Sequence, residues 1–368
     1  MKNNKMLALI VTAILCLSLL SACSQPAQSS AAPAPSAAPA SSAAPASSAV
    51  EASSAEPEPE PAPEYDEMSF RLAWGGVEGH PNYTGGMAVK DRMAEATDGA
   101  ITVETFPGAV LGSEAQTFEM NRTNTLEASI VNTSIVVGVL PELGVINLPY
   151  LFRDRDHAIN VLSGDIGQRL MAGLKDFSIV PLAVWSGATR EVATDRPISA
   201  YSDFKGLKVR SSSNTVTVSF VESLGAVPIS MGWTDVYTSA KTGLINGTET
   251  AVTSLYTDHI YEVLPYDINL AYNHGSYTVT ASGAWFNSLS DTNQEVILEV
   301  FDSVGKNEHY KANEDMHAEV YDNLAEAGAT IVEVNDLDAY VAAAEKFYED
   351  MWYPEFTEEL IDEIRNIK

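Results

Sequence analysis

Positive charge is scarce in this chain: 21 lysines and arginines stand against 50 aspartates and glutamates, a formal charge of −29 over 368 residues. A protein of that sign is repelled by phosphate backbones and anionic lipid, which argues against nucleic-acid binding and against direct adsorption to a membrane. Cysteine is rarer still, with two residues, too few for a disulfide framework or a cysteine-ligated zinc site. The six histidines, at 80, 157, 259, 274, 309 and 317, form no His-Glu-x-x-His pair. His309 and His317 fall on a helix expected to be surface-exposed, so neither a metal nor a cofactor is expected. Gly-x-Ser-x-Gly elbows and Gly-x-x-x-x-Gly-Lys phosphate loops are also missing. Carboxylates are so common that no pair of them argues for glycoside chemistry. Catalytic machinery is therefore not visible, and the chain reads as something other than an enzyme. What it does have is 45% apolar residues and a length that suits two domains.

Lys2 and Lys5 precede an apolar run at 6–20, the layout of a secretory signal and too short for a comfortable membrane span. The run closes on Leu20-Ser21-Ala22-Cys23, which resembles a bacterial lipobox. That resemblance implies a signal peptide over 1–22, lipidation of Cys23, and an extracytoplasmic protein attached to the cell membrane only by its lipid, in the periplasm or on the outer face. Residues 24–64 are almost wholly Ala, Ser, Pro, Gln and Glu, with no lysine or arginine. Such a segment cannot bury enough apolar surface to offset chain entropy, so a disordered tether is expected, reaching at most ~130 Å if fully extended.

From residue 65 the pattern becomes globular. Met68, Phe70, Leu72 and Trp74 alternate with Ser69, Arg71 and Ala73, the period of a half-buried strand, and Gly75-Gly76 end it. Gly79-His80-Pro81 continue the loop ahead of a helix expected over 87–96. The glycine-rich turn at 75–79 lacks dinucleotide spacing; it is either a turn whose backbone approaches a ligand or an ordinary strand-to-helix turn. A second strand is expected over 101–106, turned by Pro107-Gly108, and Ser113 caps the next helix with Gln116 three residues on. Strand and helix alternate through 183–186. They do so again with strands at 207–210 and 227–231 around a helix over 215–224, which predicts an α/β fold with parallel sheets. Between 290 and 327 there is no proline and one glycine, Gly305, while Val296, Val300, Val304, Met316, Val320 and Leu324 recur on one face. As one helix this segment would be ~57 Å long and would span two lobes. Broken at Gly305, it would be two helices.

Two arginines mark the candidate site. Asp203-Phe204-Lys205-Gly206-Leu207-Lys208-Val209-Arg210 reads as a turn feeding a strand, with Arg210 at the strand's carboxyl end, and Ser213 or Asn214 can cap the helix that follows. Open α/β folds bind ligands in the crevice beyond strand ends. A helix N-terminus there adds free N–H groups and the positive end of its dipole. Arginine contributes a planar fork matched to a carboxylate. Arg190 follows a strand expected to end near Ser186 and takes an equivalent place. Tyr256, His80 and Asn132 are candidate wall residues, with plain packing or solvent exposure as the alternative.

The motifs of 203–261 occur in an order that resembles the solute-binding receptors of TRAP transporters, the tripartite carboxylate uptake systems. After the Arg210 segment come Leu224-Gly225-Ala226-Val227-Pro228, Trp233-Thr234-Asp235-Val236-Tyr237 and Gly243-Leu244-Ile245-Asn246-Gly247-Thr248-Glu249. Phe106-Pro107 with Leu111-Gly112, Leu148-Pro149-Tyr150-Leu151-Phe152 and Leu289-Ser290 extend the likeness over 68–350. The resemblance implies a two-lobed, periplasmic-binding-protein-like clamshell with hinge strands and one long helix crossing both lobes. Lobe I would hold 65–187 with 276–315, and lobe II 188–275 with 316–368. A small organic acid is the implied ligand, and TRAP membrane subunits are the implied partners. Residue by residue, the resemblance implies a bidentate salt bridge at Arg210, a second contact at Arg190 and an aromatic wall at Trp233. Glu249, Thr250, Ser213 and Asn214 complete the expected set. Thr250 stands where the family commonly has Asn, and Ser211-Ser212-Ser213 replace Val-Pro-Asn, which leaves the acid's identity open. The rival classes are an ABC-type receptor or sensor lobe pair, which commonly lacks a helix across both domains, and a secreted hydrolase.

Overall fold

Phe70, Leu72 and Trp74 turn into the core from strand β1 (Met68–Trp74), while Arg71 points the other way and pairs with Glu127 at 2.8 Å. The computed structural model to which these residues belong describes 63–348 and 356–368. The expected signal peptide, Cys23 and the tether up to residue 62 lie outside the described residues.

Two parallel sets of strands form as the alternation predicts. β1 lies between β2 (Ile101–Phe106) and β3 (Ala128–Asn132), parallel to both. Farther along the chain, β5 (Lys208–Ser211) lies between β6 (Val227–Ser230) and β7 (Gly247–Ala251), again parallel. Two long antiparallel strands, β4 (Ile179–Thr194) and β8 (Tyr266–Ser282), join the sets. The end of β8 pairs with β3, the end of β4 pairs with β7, and β9 (Thr330–Glu333) adds to the start of β8, giving one nine-stranded sheet. A strand ending near Ser186 is therefore corrected: β4 runs on to Thr194. Its register slips between Ser186 and Thr189, and a Cβ on Gly187 would stand 2.4 Å from the Gly275 carbonyl carbon. Gly187 thus lets two backbones pass in close contact.

The first helix, Pro81–Ala96, starts earlier than expected because Pro81 suits a helix start and the His80 ring accepts the Asn82 N–H at 3.0 Å. Ser113 and Gln116 form the capping box of the Glu114–Arg122 helix. The long helical element consists of Asp291–Val304 and Tyr310–Glu326, joined by a π-turn at Gly305–His309. It is neither an unbroken α-helix nor two separate ones. Its first part buries Ile297 and Phe301 with Phe70 and Leu182, and its second buries Val320 and Leu324 with Val252 and Leu255. At the turn a Cβ on Gly305 would lie 2.3 Å from Trp185 Cδ1. His309, expected on an exposed face, is instead fully buried beside Trp185, with Nε2 2.9 Å from Asn82 Oδ1. Burial pushes its imidazole down to about 3. The last helix, Glu358–Asn366, packs on segment 148–166, where Ile361 and Ile364 join Leu151, Phe152 and Val161, in a cluster that also takes in Val216.

Candidate functional site

The carboxyl ends of both parallel strand sets face one cleft of about 720 Å³. From the first set come the Gly75-Gly76-Val77 turn after β1, Asn132 at the end of β3, and Ser113 and Glu114 at a helix start. Facing them are Arg190 just past the strand crossing, Arg210 at the end of β5, Ser213, Trp233 and Thr250. This is the strand-end crevice expected for an open α/β sheet.

At its base the two arginines share one fully buried acid and are held differently. Arg190 Nη2 donates to Glu249 Oε2, and Arg190 Nε donates to the Tyr272 hydroxyl at 3.3 Å. Tyr272 in turn donates to Glu249 Oε2 at 2.8 Å, and the Ser212 N–H donates to Oε1 at 3.2 Å. Burial would raise the Glu249 carboxyl, but Arg190, Arg210 and these hydrogen bonds hold it below the ordinary carboxylate range. Arg210 has no such partner. Its Nε and Nη2 donate to the Met231 carbonyl at 3.1 and 2.9 Å, and Nη1 lies 3.9 Å from Glu249 Oε1, beyond hydrogen-bond range. Burial, with repulsion from Arg190, lowers Arg210 from its usual value despite Glu249, whereas Glu249 raises Arg190 against the effect of burial. Arg210 is the under-compensated cation, and its Nη1–Nη2 edge is the one not spent on Met231.

Trp233 presents its ring 5.4 Å from the Arg210 guanidinium carbon, and its indole N–H donates to Asp258 Oδ2 at 3.2 Å, which fixes the ring against the cleft.

Of the residues expected at the site, Arg210, Arg190, Trp233, Thr250, Ser213, His80 and Asn132 line the cleft. Three do not. Glu249 lies beneath the floor and acts on the cleft through the arginines. Asn214 is consumed structurally: its side-chain oxygen caps the helix at Val216 N–H and its amide bonds Asn147. Tyr256 stacks on Tyr261 within a hydrophobic cluster. Among the described residues, no group of three His, Cys, Asp or Glu could hold a metal ion, and no helix is long and apolar enough to cross a membrane.

Three acids outside the expected set also line the cleft: Glu114, Asp235 and Asp258. Glu114 Oε2 accepts the Asn132 N–H at 3.1 Å, and burial pushes its carboxyl up to about 7. Burial likewise raises Asp258 to about 6. Glu114 could have been found by applying to the end of β2 the strand-end logic that located Arg210.

The sequence profile of the bacterial extracellular solute-binding proteins, family 7, matches residues 76–355. The 2,3-diketo-L-gulonate-binding periplasmic protein YiaO of Escherichia coli is 26% identical over 289 residues, covering 77% of this chain and 87% of YiaO. The sialic acid-binding periplasmic protein SiaP of Vibrio cholerae is 26% identical over 288 residues, with coverage of 77% and 87%. Among solved structures, a TRAP periplasmic solute-binding protein from Bordetella superposes with a TM-score of 0.79 at 26% identity, over 82% of this chain and 100% of that one. One from Xanthobacter autotrophicus with bound β-D-galacturonate gives 0.76 at 25% identity, over 81% and 100%.

Proposed function

As the chain belongs to family 7 of the bacterial extracellular solute-binding proteins, the periplasmic receptors of TRAP transporters, we propose that it captures one small organic acid through a forked salt bridge to Arg210. It delivers that acid to TRAP membrane subunits and performs no chemistry on it. The observation that carries this reading is the free edge of Arg210, a buried cation lining an interlobe cleft and not paired within hydrogen-bond range by the protein's own acids. A carboxylate entering the cleft loses water, and a charge-assisted fork compensates for that loss. Lobe closure shields the pair and presents a composite surface to the membrane subunits. Lipid on Cys23 holds the receptor at the membrane, and residues 24–64 are its tether.

A thermal-shift screen against organic acids, followed by titration calorimetry on Arg210→Ala, tests the capture step. The variant should keep the parental circular dichroism and lose about 30-fold to several-thousand-fold in affinity, the equivalent of about 2–5 kcal/mol. Full retention of affinity rejects the assignment. Cys23→Ser should move the protein from the membrane fraction to the soluble one; an unchanged distribution removes the anchor from the proposal.

A further inference from the structure

The cations of the cleft suit a ligand with a single carboxylate. Among the described lining residues the permanent cations are Arg190 and Arg210; His80 lines the cleft too, but burial lowers its imidazole to about 4. Glu249 beneath them neutralises one positive charge. Of the two arginine charges, that of Arg210 is left for a guest. The acids of the wall are Glu114 from the first strand set and, from the second, the exposed Asp235 and the half-buried Asp258; Glu114 and Asp258 repel each other electrostatically. Each spends one lone pair on a protein donor, Glu114 on the Asn132 N–H and Asp258 on the Trp233 indole. A carboxylate offers about four acceptor positions, so both retain capacity toward the cleft.

We propose that Glu114 and Asp258 read ligand hydroxyls and refuse a second carboxylate, so that this receptor selects a polyhydroxylated monocarboxylate over the dicarboxylate of the same skeleton. The inference rests on capture through Arg210. A hydroxyl donates into the lone pairs of either acid that the Asn132 N–H and the Trp233 indole leave unfilled. A second carboxylate has no proton to donate, meets no remaining cation, and faces two like charges. It can be accommodated only if Glu114 or Asp258 takes a proton from solvent. Specificity of this kind comes from the repulsive element as much as from the attractive one. A cleft of about 720 Å³ is ample for a six-carbon acid.

Titration calorimetry on the purified chain with D-gluconate, D-galactonate, their dicarboxylate counterparts D-glucarate and galactarate, and hexanoate decides the matter. At pH 7.5 at least one of the two aldonates should bind roughly 30-fold or more tighter than its aldarate and than hexanoate. The double substitution Glu114→Gln with Asp258→Asn should narrow the aldonate-to-aldarate ratio to roughly 5-fold or less by improving the aldarate. Should that variant fold poorly, the wild-type ratio serves alone: lowering the pH should narrow it by up to about tenfold per unit for each proton taken up with the aldarate. The groups facing Glu114 are Arg210, Arg190, Asp258 and Tyr277, of which only Asp258 titrates near the same range. An aldarate that binds as well as its aldonate, hexanoate that matches the aldonates, a ratio unmoved by pH, or binding of none of these acids overturns the inference. If some other acid binds and Arg210→Ala abolishes it, capture through Arg210 stands while this selection rule falls. If Arg210→Ala leaves affinity intact, both fall.

Discussion

Glu249 is hydrogen-bonded to Arg190 but stands 3.9 Å from Arg210. One carboxylate thus holds one guanidinium and only leans on the other. That asymmetry leaves a cation in a buried place with an unfilled edge, which is what an anion receptor requires and what a purely structural ion-pair network would avoid.

Glu249→Gln keeps the shape of the side chain and removes its charge, leaving Arg190 and Arg210 buried without a counter-ion. Breaking a buried pair in this way costs about 3–5 kcal/mol, so the urea midpoint should fall steeply. A bound carboxylate should restore more stability to this variant than to the parent. A midpoint unchanged from wild type would mean that Glu249 does not neutralise the pair.

Thr250 lines the cleft and is 5% exposed. Asn at this position adds an amide with two donors where the hydroxyl has one. Thr250→Asn should change the ranking of acids in a thermal-shift panel, with individual affinities moving by about tenfold. The same ranking in both proteins would show that position 250 does not touch the ligand.

Thermal melts across pH should separate Glu114→Gln from wild type. Burial raises the Glu114 carboxyl to about 7, with Asp258 adding to the shift and Arg210 and Arg190 opposing it. The folded protein therefore holds that proton more tightly than the unfolded chain does. The stability it contributes is complete below the ordinary glutamate range and is lost as pH rises through about 7. Gln does not titrate, so the variant should be the more stable protein at pH 8, with the gap closing toward pH 4. His80 and His309, lowered to about 4 and about 3, act with the opposite sign and cancel because both proteins contain them. A pH-independent gap would contradict the assignment.

Gly305→Ala places a methyl 2.3 Å from Trp185 Cδ1, inside a joint already filled by Gly85, Phe301 and His309. Overpacking of this kind costs about 1–3 kcal/mol. A lower melting temperature is expected; an unchanged one would show that Trp185 gives way freely.

Local signals made much of this legible. Arg210 could be located because a strand end and a helix cap flank it within a few residues, and the strand–helix alternation gave both parallel sets. The continuation of β4 to Thr194 was hidden because Gly187 looks the same in sequence whether it ends a strand or admits a crossing partner, and that partner is Gly275. Asp258 is hidden for a different reason: in a chain with 50 acids, nothing near it in the sequence marks its carboxyl as one that points inward. The Met231 carbonyl that holds Arg210 carries no side-chain signature at all. The C-terminal helix meets its partner across 207 residues, His157 Nε2 to the Ile364 carbonyl, a separation no local pattern encodes.

Because β4 and β8 each contribute to both halves of the sheet, neither half is a contiguous stretch of gene. A fragment stopping at Gly187 would carry part of a strand whose remaining rungs belong to the other half, exposing N–H and C=O groups along a raw edge open to aggregation. The molecule must be synthesised through residue 282 before the first half's ladder can be finished. Folding of the early half must therefore wait on the late one, since the strand that completes it comes last in the chain.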